Sequence, residues 1–156
     1  MRNPKPRKPK SKTTKQIKKD LTDECLRLWS LCVRTKERKC QLVFLDDRGR
    51  YQTCSRDTYL QGHHKLGKRN HAALMFDLEN GITCCREHHF MEKANPSVFH
   101  LMIVRTVGID DLDYLRRKEI DANNYGRCKF TIEDLEKIKA DLTKQLKQLQ
   151  SDYGVL

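Results

Sequence analysis

Residues 54–96, CSRDTYLQGHHKLGKRNHAALMFDLENGITCCREHHFMEKANP, constrain this chain more than any other stretch. They carry five of its six histidines and three of its seven cysteines. Charged residues make up 34% of the sequence and aromatic residues 7%, so little is left to build a core. Domains with little to bury often rely on bound metal for stability. The spacing Cys85-x-x-His88 suits two ligands of one ion at the corner between a strand and a helix. His63 and His64 stand side by side on an expected strand, where adjacent side chains point to opposite faces. They therefore cannot both bind the same ion while the strand stays regular. His71 and His100 have no such company and read as filler.

The charge is unevenly placed. Residues 1–19 hold nine Lys or Arg, no acid, and Pro4, Pro6 and Pro9, and most of the net +11 sits there. Residues 1–20 are expected to be a disordered basic arm, too polar to offset the entropy of ordering, that engages a polyanion, most simply nucleic acid. No signal-peptide pattern and no apolar run long enough to span a bilayer is visible, so no membrane partner is expected. Thiols that are free or metal-bound then fit better than disulfides.

The remaining pattern is α+β. Thr22 is expected to cap a helix with Asp23 and Glu24 in its first turn. Cys25, Leu28, Trp29 and Cys32 follow on one apolar face, which favours core packing of the two cysteines over ligation. Residues 41–45 and 50–54 read as a hairpin around a 46–49 turn. Residues 60–64 and 82–84 read as two further strands. Asn95-Pro96 opens a helix that Gly108 ends, a short helix covers 111–119, and Thr131 with Asp134 starts a last helix in a near capping box. Leu135, Ile138, Leu142, Leu146 and Leu149 give that helix an apolar stripe. The stripe is expected to face the 97–107 helix or a second copy of the chain in a homodimer.

The order of a His pair, Asn80, then His89 resembles the HNH endonucleases. The motifs LQGHHKLGKRN, DLENGI and CREHH followed by NP resemble the phage recombination nucleases of the NinG/Rap type. The resemblance implies a ββα-metal nuclease core with a zinc knuckle over residues 21–109, flanked by helices, with 110–156 as a helical extension. It implies metal-dependent hydrolysis of DNA phosphodiester bonds, in phage DNA recombination or processing inside the host cytoplasm. By the family pattern His64 is the general base, His63 and His89 hold the catalytic cation, and Asn80 ties the inter-strand loop by side-chain bonds to backbone. The cation would be Mg2+, favoured by supply, or Mn2+ or another ion preferred by nitrogen ligands. The family often has a further ligand four residues beyond the last His, and here that position is Lys93.

The zinc knuckle would use Cys40, Cys54, Cys85 and His88. Family members carry a tight C-x-x-C for the first pair. Here a hairpin over 41–53 would have to bring Cys40 and Cys54 together, and Cys84 competes with Cys85 for the third position. Lys65, Lys68 and Arg69 follow the base and offer phosphate contacts, or else form a solvated basic loop. A rival reading is a zinc-stabilised DNA-binding or packaging accessory protein that cuts nothing. An RNA-binding zinc module fits less well, because the aromatics that stack on single strands are not interleaved with the basic residues.

Overall fold

The computed structural model describes residues 12–121 and 129–155. Its elements are α1 (Thr14–Glu37), β1 (Val43–Leu45), β2 (Tyr51–Thr53), β3 (Leu60–His64), a 3-10 turn (Ala72–Leu74), β4 (Gly81–Cys85), α2 (Arg86–Ala94), α3 (Pro96–Val107), α4 (Ile109–Asp121) and α5 (Ile132–Tyr153). The architecture is α+β, with two small antiparallel sheets among five helices.

The first helix starts earlier than its sequence suggests. Thr13, not Thr22, caps it, its Oγ1 accepting from the Gln16 amide at 3.3 Å. Thr22 lies inside the helix and donates its hydroxyl to the Lys18 carbonyl at 2.8 Å. The added turns, Thr14, Lys15, Gln16, Ile17, Lys18, Lys19 and Asp20, carry the ion pairs Lys12–Asp20 and Lys19–Asp23. They bury nothing, but once the amphipathic part is nucleated each further residue adds a backbone bond. The order of residues 14–20 thus differs from that expected for the arm, while residues 1–11 lie outside the described residues.

α5 packs along α1 in the same direction. The Cys25 thiol points to the Leu135 carbonyl at 3.4 Å and the Cys32 thiol to that of Leu142 at 3.5 Å. Cys25, Leu28, Trp29, Cys32 and Val33 form one core with Leu135 and Leu142, edged by Ile138, Leu146 and Leu149. The two α1 cysteines are packing residues. The C-terminal stripe lies against α1 and not against the 97–107 helix, with Leu135 and Leu142 buried there and Ile138, Leu146 and Leu149 partly buried. Sequence could not show this because the two helices lie at opposite ends of the chain.

The β3–β4 hairpin lies between α1 and α3. In its register Leu60 faces Cys85, Gly62 faces Thr83 and His64 faces Gly81. One face meets α1: the Gly62 amide donates to Ser30 Oγ at 3.1 Å, and the Thr83 hydroxyl to the Val33 carbonyl at 3.2 Å. A Cβ on Gly62 would meet Ser30 Oγ at 2.9 Å, and one on Gly81 would collide with Val33. The other face joins a second core of Leu66, Leu74, Ile82, Phe99, Ile103 and Leu112. β4 is buried along its whole length because it has helices on both sides. Leu112 and Leu115 of α4 also belong to this core.

Caps follow the sequence closely. Asn95 Oδ1 accepts from the Val98 amide, Pro96 is the first residue of α3, and Gly108 ends it. Thr131 and Asp134 form the reciprocal capping box of α5.

Leu142→Ala should cost about 2–5 kcal/mol, the usual range for emptying a buried leucine site. The urea midpoint reads it. The loss should not change with protein concentration, since Leu142 is covered by α1.

Candidate metal centres

The first centre lies at the end of the β1–β2 hairpin. Val43 pairs with Thr53, and the Cys54 amide donates to the Leu42 carbonyl at 3.0 Å. The Ser55 amide donates to Cys40 at 3.1 Å and the Cys40 amide to Arg56 at 2.6 Å. These bonds hold Cys40 and Cys54 together across the hairpin base, doing the work of a C-x-x-C turn. Cys85 ends β4, and His88 projects from the first turn of α2. The ligand atoms of Cys40, Cys54, Cys85 and His88 all lie within 4.8 Å of one another. His88 Nδ1 is 3.3 Å from Cys40 Sγ and 3.6 Å from Cys85 Sγ, and Cys54 Sγ is 4.0 Å from Cys85 Sγ.

A tetrahedron with sulfur at ~2.3 Å and nitrogen at ~2.0 Å from a zinc has edges of roughly 3.5–3.8 Å. The observed separations bracket those edges, so the residues fit one tetrahedral ion. Cys84 does not join them. Its side chain points to the Gln61 carbonyl at 3.8 Å, as strand alternation requires. Burial pushes the Cys40 thiol up to about 12, and burial together with the Arg56 charge holds His88 below its ordinary value. Without an ion the Cys40 thiol is therefore neutral near pH 7, and binding would release its proton.

The second centre lies on the other side of α2. His63 Nδ1 is 3.8 Å from Glu92 Oε2, and the rings of His63 and His89 meet edge to face at 5.4 Å. The ligand atoms of His63, His89 and Glu92 lie within 4.8 Å of one another. Two imidazoles and one carboxylate form a donor set that suits a divalent transition-metal ion. Burial, then the charges of His89, His64 and Lys68, push His63 down to about 3, so its ring is neutral and its lone pair free for an ion. Lys93 is exposed, and it is Glu92 whose carboxylate lies with the two imidazoles. Glu92 escapes a search at four residues beyond His89. Its three-residue spacing on a helix was the available signal.

His64 points away from this trio, toward α1. Its ring stacks on Trp29 at 3.9 Å with planes 6° apart. Its Nε2 lies 2.8 Å from the Met75 carbonyl. A carbonyl only accepts, so Nε2 carries the proton and Nδ1 keeps the lone pair. Burial lowers the His64 pKa, the Met75 carbonyl partly offsets this, and Lys68 adds to it. A cleft of about 310 Å³ is lined by His63, His64, His89 and Glu92, with Trp29 and Lys68 at its walls.

Asn80 is fully buried and closes the 65–80 loop. Its Oδ1 accepts from the Leu66 amide at 2.8 Å, and its Nδ2 donates to the Leu66 and Leu74 carbonyls at 3.0 and 3.2 Å. The same loop is anchored to α4. His71 Nδ1 meets the buried carboxylate of Glu119 at 2.7 Å, and Asp77 pairs with Lys118 at 2.7 Å. Trp29 Nε1 donates to the Asp77 carbonyl at 2.9 Å. His71 is thus an anchor and not filler, a role its isolated place in the sequence did not reveal.

The three basic residues after His64 separate. Lys68 lines the cleft and Arg69 is exposed. Lys65 is half-buried against Asp111 at 2.9 Å, away from the cleft, and its charge is already matched. The chain matches no protein-family model, no curated protein and no solved structure. Among the described residues no helix is long and apolar enough to cross a membrane.

Cys85→Ser should abolish metal retention at the first centre and collapse the hairpin base. In small metal domains the binding energy is folding energy. Metal content by plasma emission and the thermal unfolding curve check it. Cys84→Ser should keep both the metal and the cooperative transition.

Proposed function

We propose that the protein is a metal-dependent endonuclease of the HNH type that hydrolyses phosphodiester bonds in DNA, with zinc at Cys40, Cys54, Cys85 and His88. One observation carries the reading. His64, its proton held on Nε2 by a carbonyl, shares a cleft with His63, His89 and Glu92, which together fit one cation. The order β3, β4, α2 around that cleft agrees with the resemblance in sequence. A role in recombination or processing of phage DNA rests on that resemblance alone.

His64, whose Nδ1 keeps the lone pair, is in this reading the base that takes a proton from the attacking water. The Met75 bond and the Trp29 stack hold its ring in one plane and one tautomer. Asn80, by fixing Leu66 and Leu74, keeps the loop that carries Met75 in register with β3. A divalent cation such as Mg2+ or Mn2+ at His63, His89 and Glu92 would supply charge stabilisation for the non-bridging and leaving oxygens. Lys68 offers a positive charge to the phosphate at the cleft wall. The rival reading, a DNA-binding protein that cuts nothing, drew on the missing ligand at Lys93, and Glu92 weakens that ground.

Plasmid nicking with Mg2+, Mn2+ or EDTA tests the reading, and no nicking with any divalent ion would end it. His64→Ala should slow cleavage by ~10²–10⁴-fold while DNA affinity without added Mg2+ or Mn2+ stays near wild type. Glu92→Gln should weaken Mn2+ binding by calorimetry and raise the Mn2+ concentration needed for half-maximal nicking, by about tenfold or more for a lost ligand. Equal Mn2+ requirements for both proteins would remove Glu92 from the site.

A further inference from the structure

Helix α1 does two things that have no obvious reason to occur together. Near its middle, Leu26, Trp29 and Ser30 form one wall of the cleft that holds His63, His64, His89 and Glu92. At its start it projects beyond the part of α1 that packs in the core, as an exposed helical segment rich in lysine. The two are related by helical geometry. Lys15, Lys18 and Lys19 each stand about three turns before Leu26, Trp29 and Ser30 respectively, so they lie on the same side of the helix. All three are exposed.

We infer that the first turns of α1 are a phosphate rail, along which duplex DNA runs to one side of the cleft. The inference rests on the nuclease reading for its partner and extends it by giving the path of the bound strand. Three turns of helix place the rail about 16 Å from the cleft wall, at a rise of ~1.5 Å per residue. That reach corresponds to about five base pairs at ~3.4 Å each. The acids nearby have partners of their own, Asp20 with Lys12 at 2.6 Å and Glu24 with Arg27 at 2.9 Å. Lys19 pairs with Asp23 at 2.8 Å, but both side chains are more than half exposed, and such pairs are worth little and exchange readily for phosphate. Asp134, at the start of α5, feels the charge of Lys18 without an ion pair between them, and Lys15 has no ion pair among the described residues. Lys68 continues the positive path at the cleft itself.

The rail also accounts for a helix that continues past its core. Residues 14–20 bury almost nothing, so packing does not select their length or composition. A rigid helix holds lysines at a set distance from the cleft, which a loose arm does not.

The full-length, zinc-loaded chain tests this with no chelator and no added Mg2+ or Mn2+, where binding to a duplex is measured without cleavage. Lys15→Ala/Lys18→Ala/Lys19→Ala should flatten the slope of log affinity against log salt by about two to three units, at roughly 0.9 per lost phosphate contact. Lys137→Ala/Lys144→Ala/Lys147→Ala, three exposed cations on α5, should change it by less than one. An unchanged slope in the first variant, or equal flattening in both, overturns the rail. Circular dichroism confirms that α1 stays helical, and Lys→Gln at the same three positions replaces the variant if it does not. Neutral methylphosphonates walked along the duplex should weaken wild-type binding on one side of the cleavage point and have no such effect in the rail variant. Symmetric effects would also overturn it. Rail-dependent binding without nicking in any divalent ion would sink the nuclease reading alone. Nicking with an unchanged salt slope would sink the rail alone.

Discussion

The close seating of the β3–β4 hairpin on α1 is the contact from which the rest of the structure follows. Two glycines make it, Gly62 against Ser30 and Gly81 against Val33, because a side chain at either position would push the sheet off the helix. With the hairpin pressed there, β4 is covered on both faces and two strands suffice for a sheet that would be marginal alone. The same seating puts His64 flat on Trp29 and leaves His63 on the far face, against Phe99. Alternation along a strand then becomes a division of labour, one histidine toward α1 and one toward the cation cluster.

α2 carries the second division. His88 and His89 are neighbours, about 100° apart on a helix, and so they turn to different groups. Cys85 and His88 join the hairpin cysteines. His89 and Glu92, one turn apart, join His63. An ion at the cysteine group would fix the start of α2 and with it the placing of His89. α2 buries no residue fully and has little packing of its own to hold it. With an ion bound, the closed, sulfur-rich group would serve as the strut of the open, nitrogen- and oxygen-rich one.

Loop 65–80 is long, yet it is held at several points. Asn80 binds it from inside, and α4 grips it through Glu119 and Lys118. Its carbonyls at Met75 and Asp77 orient His64 and Trp29. Much of the order in the cleft is thus backbone carbonyl geometry, which side-chain identity reports only indirectly.

Local signals determined much of this protein from the sequence alone. The turn at 46–49, the strand over 60–64, Asn95-Pro96 and the Thr131–Asp134 box each need only near neighbours, and each stands where its residues place it. The grouping of Cys40, Cys54, Cys85 and His88 was legible because a hairpin joins the first pair and C-x-x-H spacing joins the second. Distant partners were not legible. Tertiary structure alone decided that α5 lies on α1, that Lys65 is matched by Asp111, that His71 meets Glu119, and that Glu92 completes a trio with His63. The physical reason is common to all four. Each contact joins elements far apart in the chain, and spacing along a sequence reports which face of an element a residue occupies but not what is brought to lie against it.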